Sequence, residues 1–161
     1  MSIVVNSTPL ISLAIIDKLE LLPKIFDAVL VPRAVHEEVV LNGTGKGGYN
    51  ELAQAKWLQI FDVENTHLKR SIMIELDEGE AEVITLAKER EINRVCIDEF
   101  AGRKYAKLLG LDVIGTLGLL LIAKNRGYVN KIKPLLDELI VYNRYIAQGL
   151  YNEVLKKAHE L

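Results

Sequence analysis

The apolar residues of this chain fall in short continuous runs, most of them followed by a stretch with helical spacing. The first run, Ile3-Val4-Val5, is β-branched and stops at Asn6-Ser7-Thr8-Pro9, where polar cap residues and a proline predict a helix through Leu13 to Ile16. A second run, Ala28 to Val31, ends at Pro32 and passes into a helix-like stretch that closes near Leu41, before the glycine-rich loop Asn42 to Gly48. After a weaker segment around Trp57 to Val63, helical spacing returns in Asp77 to Glu91. The strand-like Val95-Cys96-Ile97 and a helix through Arg103 to Leu109 follow. Asp112-Val113-Ile114 then meets Gly115-Thr116 and an apolar helix to about Lys124, and two further helix-like segments start at Asn130 and Ala147.

Strand alternating with helix predicts an α/β fold, and continuously apolar strands are what a sheet covered on both faces requires. The expectation is a three-layer α/β/α sandwich around a central parallel sheet. No repeat, linker or low-complexity tract divides residues 1–161, so one domain is expected. Ligands of such sheets lie beyond the carboxyl ends of the strands, at positions held here by Asn6, Pro32, Asp98 and Gly115.

Three carboxylates gain interest from that geometry. Asp98 directly follows a buried strand, with Glu99 beside it. Glu38 falls one turn beyond Ala34, next to the Val35/Val39 row, which places it on the inward face of its helix while Glu37 points elsewhere. In Leu76-Asp77-Glu78-Gly79-Glu80-Ala81-Glu82, Glu80 heads the apolar row Val83, Ile84 and Ala87, whereas Glu78 and Glu82 sit toward the flanks. A buried carboxylate is costly unless it is paired, hydrogen-bonded or bound to a cation. Several at one edge attract Mg²⁺ or Mn²⁺, which prefer oxygen ligands and favour phosphodiester hydrolysis. The competing structural reading has Glu80 complementing a helix N-terminus and Glu38 and Asp98 paired with lysines or arginines.

Charge and composition narrow the partners. Acidic and basic residues nearly balance, at 22 against 20, so no net positive field holds a duplex, and any phosphate site must be local. The one cysteine, Cys96, sits in an apolar run and reads as a core thiol. The N-terminus lacks the pattern of a signal peptide, and the apolar run Leu117 to Ala123 is too short to span a bilayer, so a cytoplasmic location is expected. That same run is either core or a dimer surface.

Taken in order, the segments at residues 4–11, 31–39, 76–82, 97–103 and 111–116 resemble the PIN-domain superfamily, in particular a prokaryotic VapC-like subfamily. Their residues are Val4-Val5-Asn6-Ser7-Thr8-Pro9-Leu10-Ile11, Val31-Pro32-Arg33-Ala34-Val35-His36-Glu37-Glu38-Val39, the Leu76 to Glu82 segment, Ile97-Asp98-Glu99-Phe100-Ala101-Gly102-Arg103, and Leu111-Asp112-Val113-Ile114-Gly115-Thr116. The resemblance covers nearly the whole chain. It implies a PIN-like fold and a Mg²⁺- or Mn²⁺-dependent endoribonuclease for single-stranded RNA, often the toxin of a toxin–antitoxin pair. It also implies a homodimer, an antitoxin seated on the acidic cleft, and an acidic cluster of Glu38, Glu80 and Asp98. The family's first acid, an aspartate, is replaced here by Asn6. An amide oxygen still ligates a hard cation but carries no charge and cannot act as a base. A catalytically weak PIN-like module that binds RNA or protein without cutting is therefore the alternative.

Four further residues are candidates for substrate binding. Ser7 and Thr8 can hydrogen-bond a metal-held water or a phosphate, against a plain role as helix N-cap beside Pro9. Arg103, one turn after Glu99, can reach a scissile phosphate or simply pair with Glu99. Thr116 opens a helix whose N–H groups suit phosphate, or it serves as a structural cap. Other chemistries lack their pattern. The run Gly43 to Gly48 matches G-x-G-x-x-G formally, yet it follows a predicted helix rather than a strand, which leaves a flexible connection with Lys46 available to RNA. His36, His67 and His159 lack the spacing of a zinc site, and no serine or cysteine occupies a nucleophile elbow.

Overall fold

The computed structural model describes the backbone of residues 1–41 and 49–161 and the side chains of 1–40 and 51–161; the glycine-rich loop with Lys46 lies outside the described residues. Five strands, β1 (Ser2–Val5), β2 (Ala28–Pro32), β3 (Leu58–Phe61), β4 (Arg94–Cys96) and β5 (Asp112–Ile114), form one parallel sheet in the order β3-β2-β1-β4-β5. Register pairs Ile3 with Val29, Val5 with Cys96, and Cys96 with Ile114. In central β1, Ile3, Val4 and Val5 are wholly buried, as a strand covered on both faces requires. The expected α/β sandwich with a parallel sheet is what forms.

The weaker apolar segment becomes the edge strand β3, paired with β2 from Val29↔Leu58 to Pro32↔Phe61. Helices flank the sheet: α1 (Ser7–Ile15), α2 (Leu21–Ile25), α3 (Arg33–Leu41), α4 (Tyr49–Gln54), α5 (Thr66–Ile72), α6 (Glu78–Glu89), α7 (Phe100–Leu108), α8 (Thr116–Asn125), α9 (Lys133–Val141) and α10 (Gln148–Lys157). α2, α4 and α5 have no counterpart among the predicted elements, because one or two turns of helix leave little periodicity to read. α6 packs on β1 and β2 and against α3 and α5, and it is buried without interruption from Gly79 to Ala87. The apolar run in α8 is largely core, with Leu119, Leu120 and Ala123 fully buried.

Helix ends repeat one device. α1, α6, α7, α8, α9 and α10 each finish with a residue in the left-handed region, at Asp17, Glu91, Gly110, Gly127, Asn143 and His159. At each, two backbone N–H groups fold back onto the last turn, as in Asn143 N–H to Ile140 O at 3.0 Å and Arg144 N–H to Leu139 O at 2.9 Å. No helix among the described residues is long and apolar enough to cross a membrane.

Candidate active site

The strand order reverses direction of growth between β1 and β4: the chain builds from β1 outward to β2 and β3, then returns to the other side of β1 to add β4 and β5. A crevice opens at the carboxyl ends of strands where this happens. Asn6 follows β1 and is tied across the gap by its N–H to Cys96 O at 3.0 Å; Asp98 follows β4 by one residue, after Ile97 has donated to Ile114 O at 2.9 Å. Two sequence candidates thus meet at the switch point.

Asn6 is the N-cap of α1, yet its side chain makes no capping bond. It is only 3% exposed, and its Oδ1 is buried without a hydrogen-bond partner among the described residues. A buried amide oxygen left unpaired costs about 1–3 kcal/mol, so its orientation points to a ligand rather than to fold stability.

Ser7 and Thr8 lie inside the first turn of α1 and are not its caps, which corrects the capping alternative for both. The Ser7 hydroxyl hydrogen-bonds Glu38, and the Thr8 hydroxyl donates to Glu99 Oε1. Thr116 is likewise not a side-chain cap: Gly115 is the N-cap of α8. Instead Asp98 serves the helix, its Oδ1 accepting from Thr116 N–H and its Oδ2 from the Thr116 hydroxyl, both at 2.7 Å. Arg103 turns to the Ile97 carbonyl, which Nη1 meets at 2.9 Å, rather than to Glu99. Gly115 makes room for this packing, since a Cβ there would lie 2.9 Å from both Arg103 Nη1 and Asp98 Oδ1.

The acids differ from expectation in two places. Glu38 is exposed, not on the core stripe; Val35 and Val39 fill that stripe, and Glu38, about 100° away around the helix from Val39, sits at its rim. Its Oε2 nonetheless reaches over Gly79, where a Cβ would lie 3.2 Å away. Glu82, expected on a flank, is 5% exposed, because α6 is enclosed on several sides and has no solvated flank there. Its Oε1 accepts from Ala34 N–H at 3.0 Å and its Oε2 from Lys69 Nζ at 2.6 Å, so it ties the start of α3 to α5.

Glu80 is buried as expected and shares a capping box with Asp77: Glu80 N–H donates to Asp77 Oδ1 at 2.8 Å, and Asp77 N–H to Glu80 Oε2 at 3.3 Å. The helix-terminus alternative for Glu80 is thus correct for one of its two oxygens. Oε1 points toward Gly102, whose missing side chain leaves the space; a Cβ there would lie 3.1 Å from that oxygen.

Electrostatics binds these groups into one site. Loss of solvent around the carboxyl raises Asp98 and Glu80 above the ordinary range and also raises Glu38, whose side chain is exposed as a whole but whose carboxyl lies over Gly79; neighbouring acids push each further. Asp77 and Glu99 repel Glu38; Asp77, Glu99 and Glu38 repel Glu80; Glu99 repels Asp98. The Ser7 bond, the Asp77 backbone bond, and the Thr116 bonds with Arg103 oppose the three shifts in turn. Glu99 is the charge common to all three, although sequence reasoning left it as a mere neighbour of Asp98. Its signal was the Asp98-Glu99 doublet at a strand end.

The structure therefore places Asn6 and Asp98 at the ends of neighbouring strands, brings Ser7 to Glu38 and Glu38 within electrostatic reach of Glu80, and ties Thr116 to Asp98, with Arg103 on the Ile97 carbonyl beside it. As placed, no three His, Cys, Asp or Glu side chains among the described residues converge closely enough to enclose a metal ion. The donor set itself, carboxylates with an orphaned amide oxygen, fits a hard divalent cation.

A strand-end acidic crevice in a five-stranded parallel sheet of order 3-2-1-4-5 defines a PIN-like α/β protein. The family model described as DUF3368, PIN domain, matches residues 2–160, and the chain belongs to that family. The family comprises nucleases in general, and its members typically bind divalent metals. No curated protein matches the chain.

Proposed function

We propose that this protein is a Mg²⁺- or Mn²⁺-dependent endoribonuclease acting on single-stranded RNA. The observation that carries the reading is the Oδ1 of Asn6, buried with no hydrogen-bond partner among the described residues, at the end of β1 where neighbouring β4 also delivers Asp98. Asn6, Glu38, Glu80 and Asp98 would hold the metal, which when bound supplies charge neutralisation at a phosphoryl oxygen and makes water more acidic. Glu99 adds negative charge that strengthens cation attraction at all three acids.

The chain's own groups supply the rest. Carboxyls held above the ordinary range are better matched near neutral pH to accept a proton from attacking water than an ordinary carboxylate. Arg103, anchored on the Ile97 carbonyl, offers its remaining N–H groups at the edge where negative charge develops. Thr116 fixes the Asp98 carboxylate with two hydrogen bonds, so little reorganisation is left for the reacting complex. The family resemblance extends the reading to a homodimeric toxin whose protein antitoxin covers the same acidic edge.

A second reading, a PIN-like module that binds RNA or protein without cutting, is favoured by the neutral Asn6 and by the engagement of both Asp98 oxygens with Thr116. Cleavage of a mixed-sequence single-stranded RNA separates the two. The nuclease reading expects cutting with Mn²⁺ or Mg²⁺, none with chelator, and a loss of about 100-fold or more in Asp98→Asn. Absence of cutting while RNA is still retained would establish the second reading.

A further inference from the structure

Beside the acidic crevice lies a cavity of about 340 Å³ that the chemistry above does not use. Asp98, Glu99 and Thr116 contribute its polar part, continuous with the site; Leu117, Leu139 and Ile146 contribute an apolar part. Arg144 and Tyr145 are also part of the lining. The turn after α9 puts them there: Asn143 adopts the left-handed conformation at φ 63°, and the doubled-back hydrogen bonds reverse the chain across the cavity.

Two features of this turn serve no purpose in the fold. Tyr145 is 91% exposed, so its ring contributes almost nothing to the core. Arg144 Nε is buried yet finds no hydrogen-bond partner among the described residues, and a buried donor left unpaired is destabilising unless a ligand acceptor meets it. An exposed flat ring and a guanidinium on the wall of one cavity are the combination that receives a planar heterocycle with hydrogen-bond acceptors on its edge.

Resting on the nuclease reading, we propose that this cavity holds an unpaired nucleobase of the RNA, next to the phosphate that is cut. Tyr145 stacks on the base, the Arg144 guanidinium on the cavity wall donates to a ring nitrogen or carbonyl oxygen, and the leucines and Ile146 cover the ring edge. Asp98 and Glu99 line only part of the cavity, and the apolar remainder, with Leu117, Leu139, Ile146 and Leu150, suits the uncharged base rather than a phosphate. The volume falls at the small end of the roughly 300–1,000 Å³ of ligand pockets. A base stacked and paired in a duplex cannot enter, which makes the cavity a physical origin of single-strand preference.

The test is binding of a labelled five-nucleotide single-stranded RNA to the full chain by fluorescence anisotropy, with chelator and with Mn²⁺. A second oligomer carries an abasic sugar at its centre, and cleavage is followed in parallel. Tyr145→Ala should weaken the intact oligomer about tenfold, Tyr145→Phe should leave it near wild type, and Arg144→Gln should cost roughly fivefold. Wild type should bind the abasic oligomer about as weakly as Tyr145→Ala binds the intact one, and Tyr145→Ala should cause no further loss on the abasic oligomer. RNA cleavage with binding indifferent to Tyr145 and to the abasic position overturns the cavity proposal and leaves the nuclease reading standing. Base-dependent binding through Tyr145 without metal-dependent cleavage does the reverse. Retention of neither oligomer under any condition overturns both, and a Tyr145→Ala change that turns a dimer into a monomer assigns the face to a second copy instead. Melting curves of both Tyr145 variants and of Arg144→Gln confirm that each is folded.

Discussion

Glu80 and Glu82 lie two residues apart on α6 and are both buried, yet their surroundings are opposite. Glu82 meets the Lys69 ammonium and the Ala34 N–H, so its charge is neutralised and both oxygens are occupied. Glu80 meets other acids: Asp77, Glu99 and Glu38 all push its carboxyl up, on top of its burial. One side of the helix has used a carboxylate to join α3, α5 and α6; the other has gathered carboxylates at a cost to the fold. Under the proposed metal-dependent reading, a cation that the folded chain binds and the unfolded chain does not would offset that cost.

The contrast can be broken from its structural side first. Glu82→Ala strips Lys69 and the α3 N-terminus of their partner and should destabilise by about 3 kcal/mol in urea denaturation. Glu80→Gln keeps the capping box, which glutamine can also form, and removes the repelled charge; it should melt no lower than wild type at pH 7. Mn²⁺ at about 100 times its dissociation constant should raise wild-type stability by about 2.7 kcal/mol, and most of that gain should vanish in Glu80→Gln.

Smaller effects sharpen the same comparison. Because the Glu80 carboxyl is raised on folding, its ionisation opposes stability fully above its folded value and not at all below its unfolded one, about pH 4. The advantage of Glu80→Gln over wild type should accordingly be present at pH 7 and shrink to nothing as pH falls to about 4 in melting experiments without metal. Glu91→Gly, far in role from either acid, relieves a side chain held at φ 56° and should add roughly 0.5–1 kcal/mol with metal binding unchanged.

Much of this architecture was legible in the order of residues, and what was missed has physical reasons. Asn6, Asp98 and Gly115 could be placed at strand ends because Val5, Ile97 and Ile114 close apolar runs. The switch point between β1 and β4 could not, since Val5 and Cys96 pair across some 90 residues and parallel pairing leaves no local turn signal. Glu38 was placed on the core stripe because a flank and a face differ by one residue of phase. Glu82 was left outside because amphipathic reasoning assumes one solvated side, which α6 lacks. Ser7, Thr8 and Thr116 sit at helix starts and looked like caps, whereas their hydroxyls go to Glu38, Glu99 and Asp98, partners that only the folded sheet brings near. For the same reason Arg103 found the Ile97 carbonyl instead of its helical neighbour Glu99.

The most direct test of the central claim is a calorimetric titration of Mn²⁺ into wild type, Glu80→Gln and Asn6→Asp at pH 7. The account predicts saturable binding by wild type, at least tenfold weaker binding by Glu80→Gln, and tighter binding by Asn6→Asp, where a charged ligand replaces the amide. Equal affinities for all three, or no saturable binding by wild type, would contradict a metal centre at these residues.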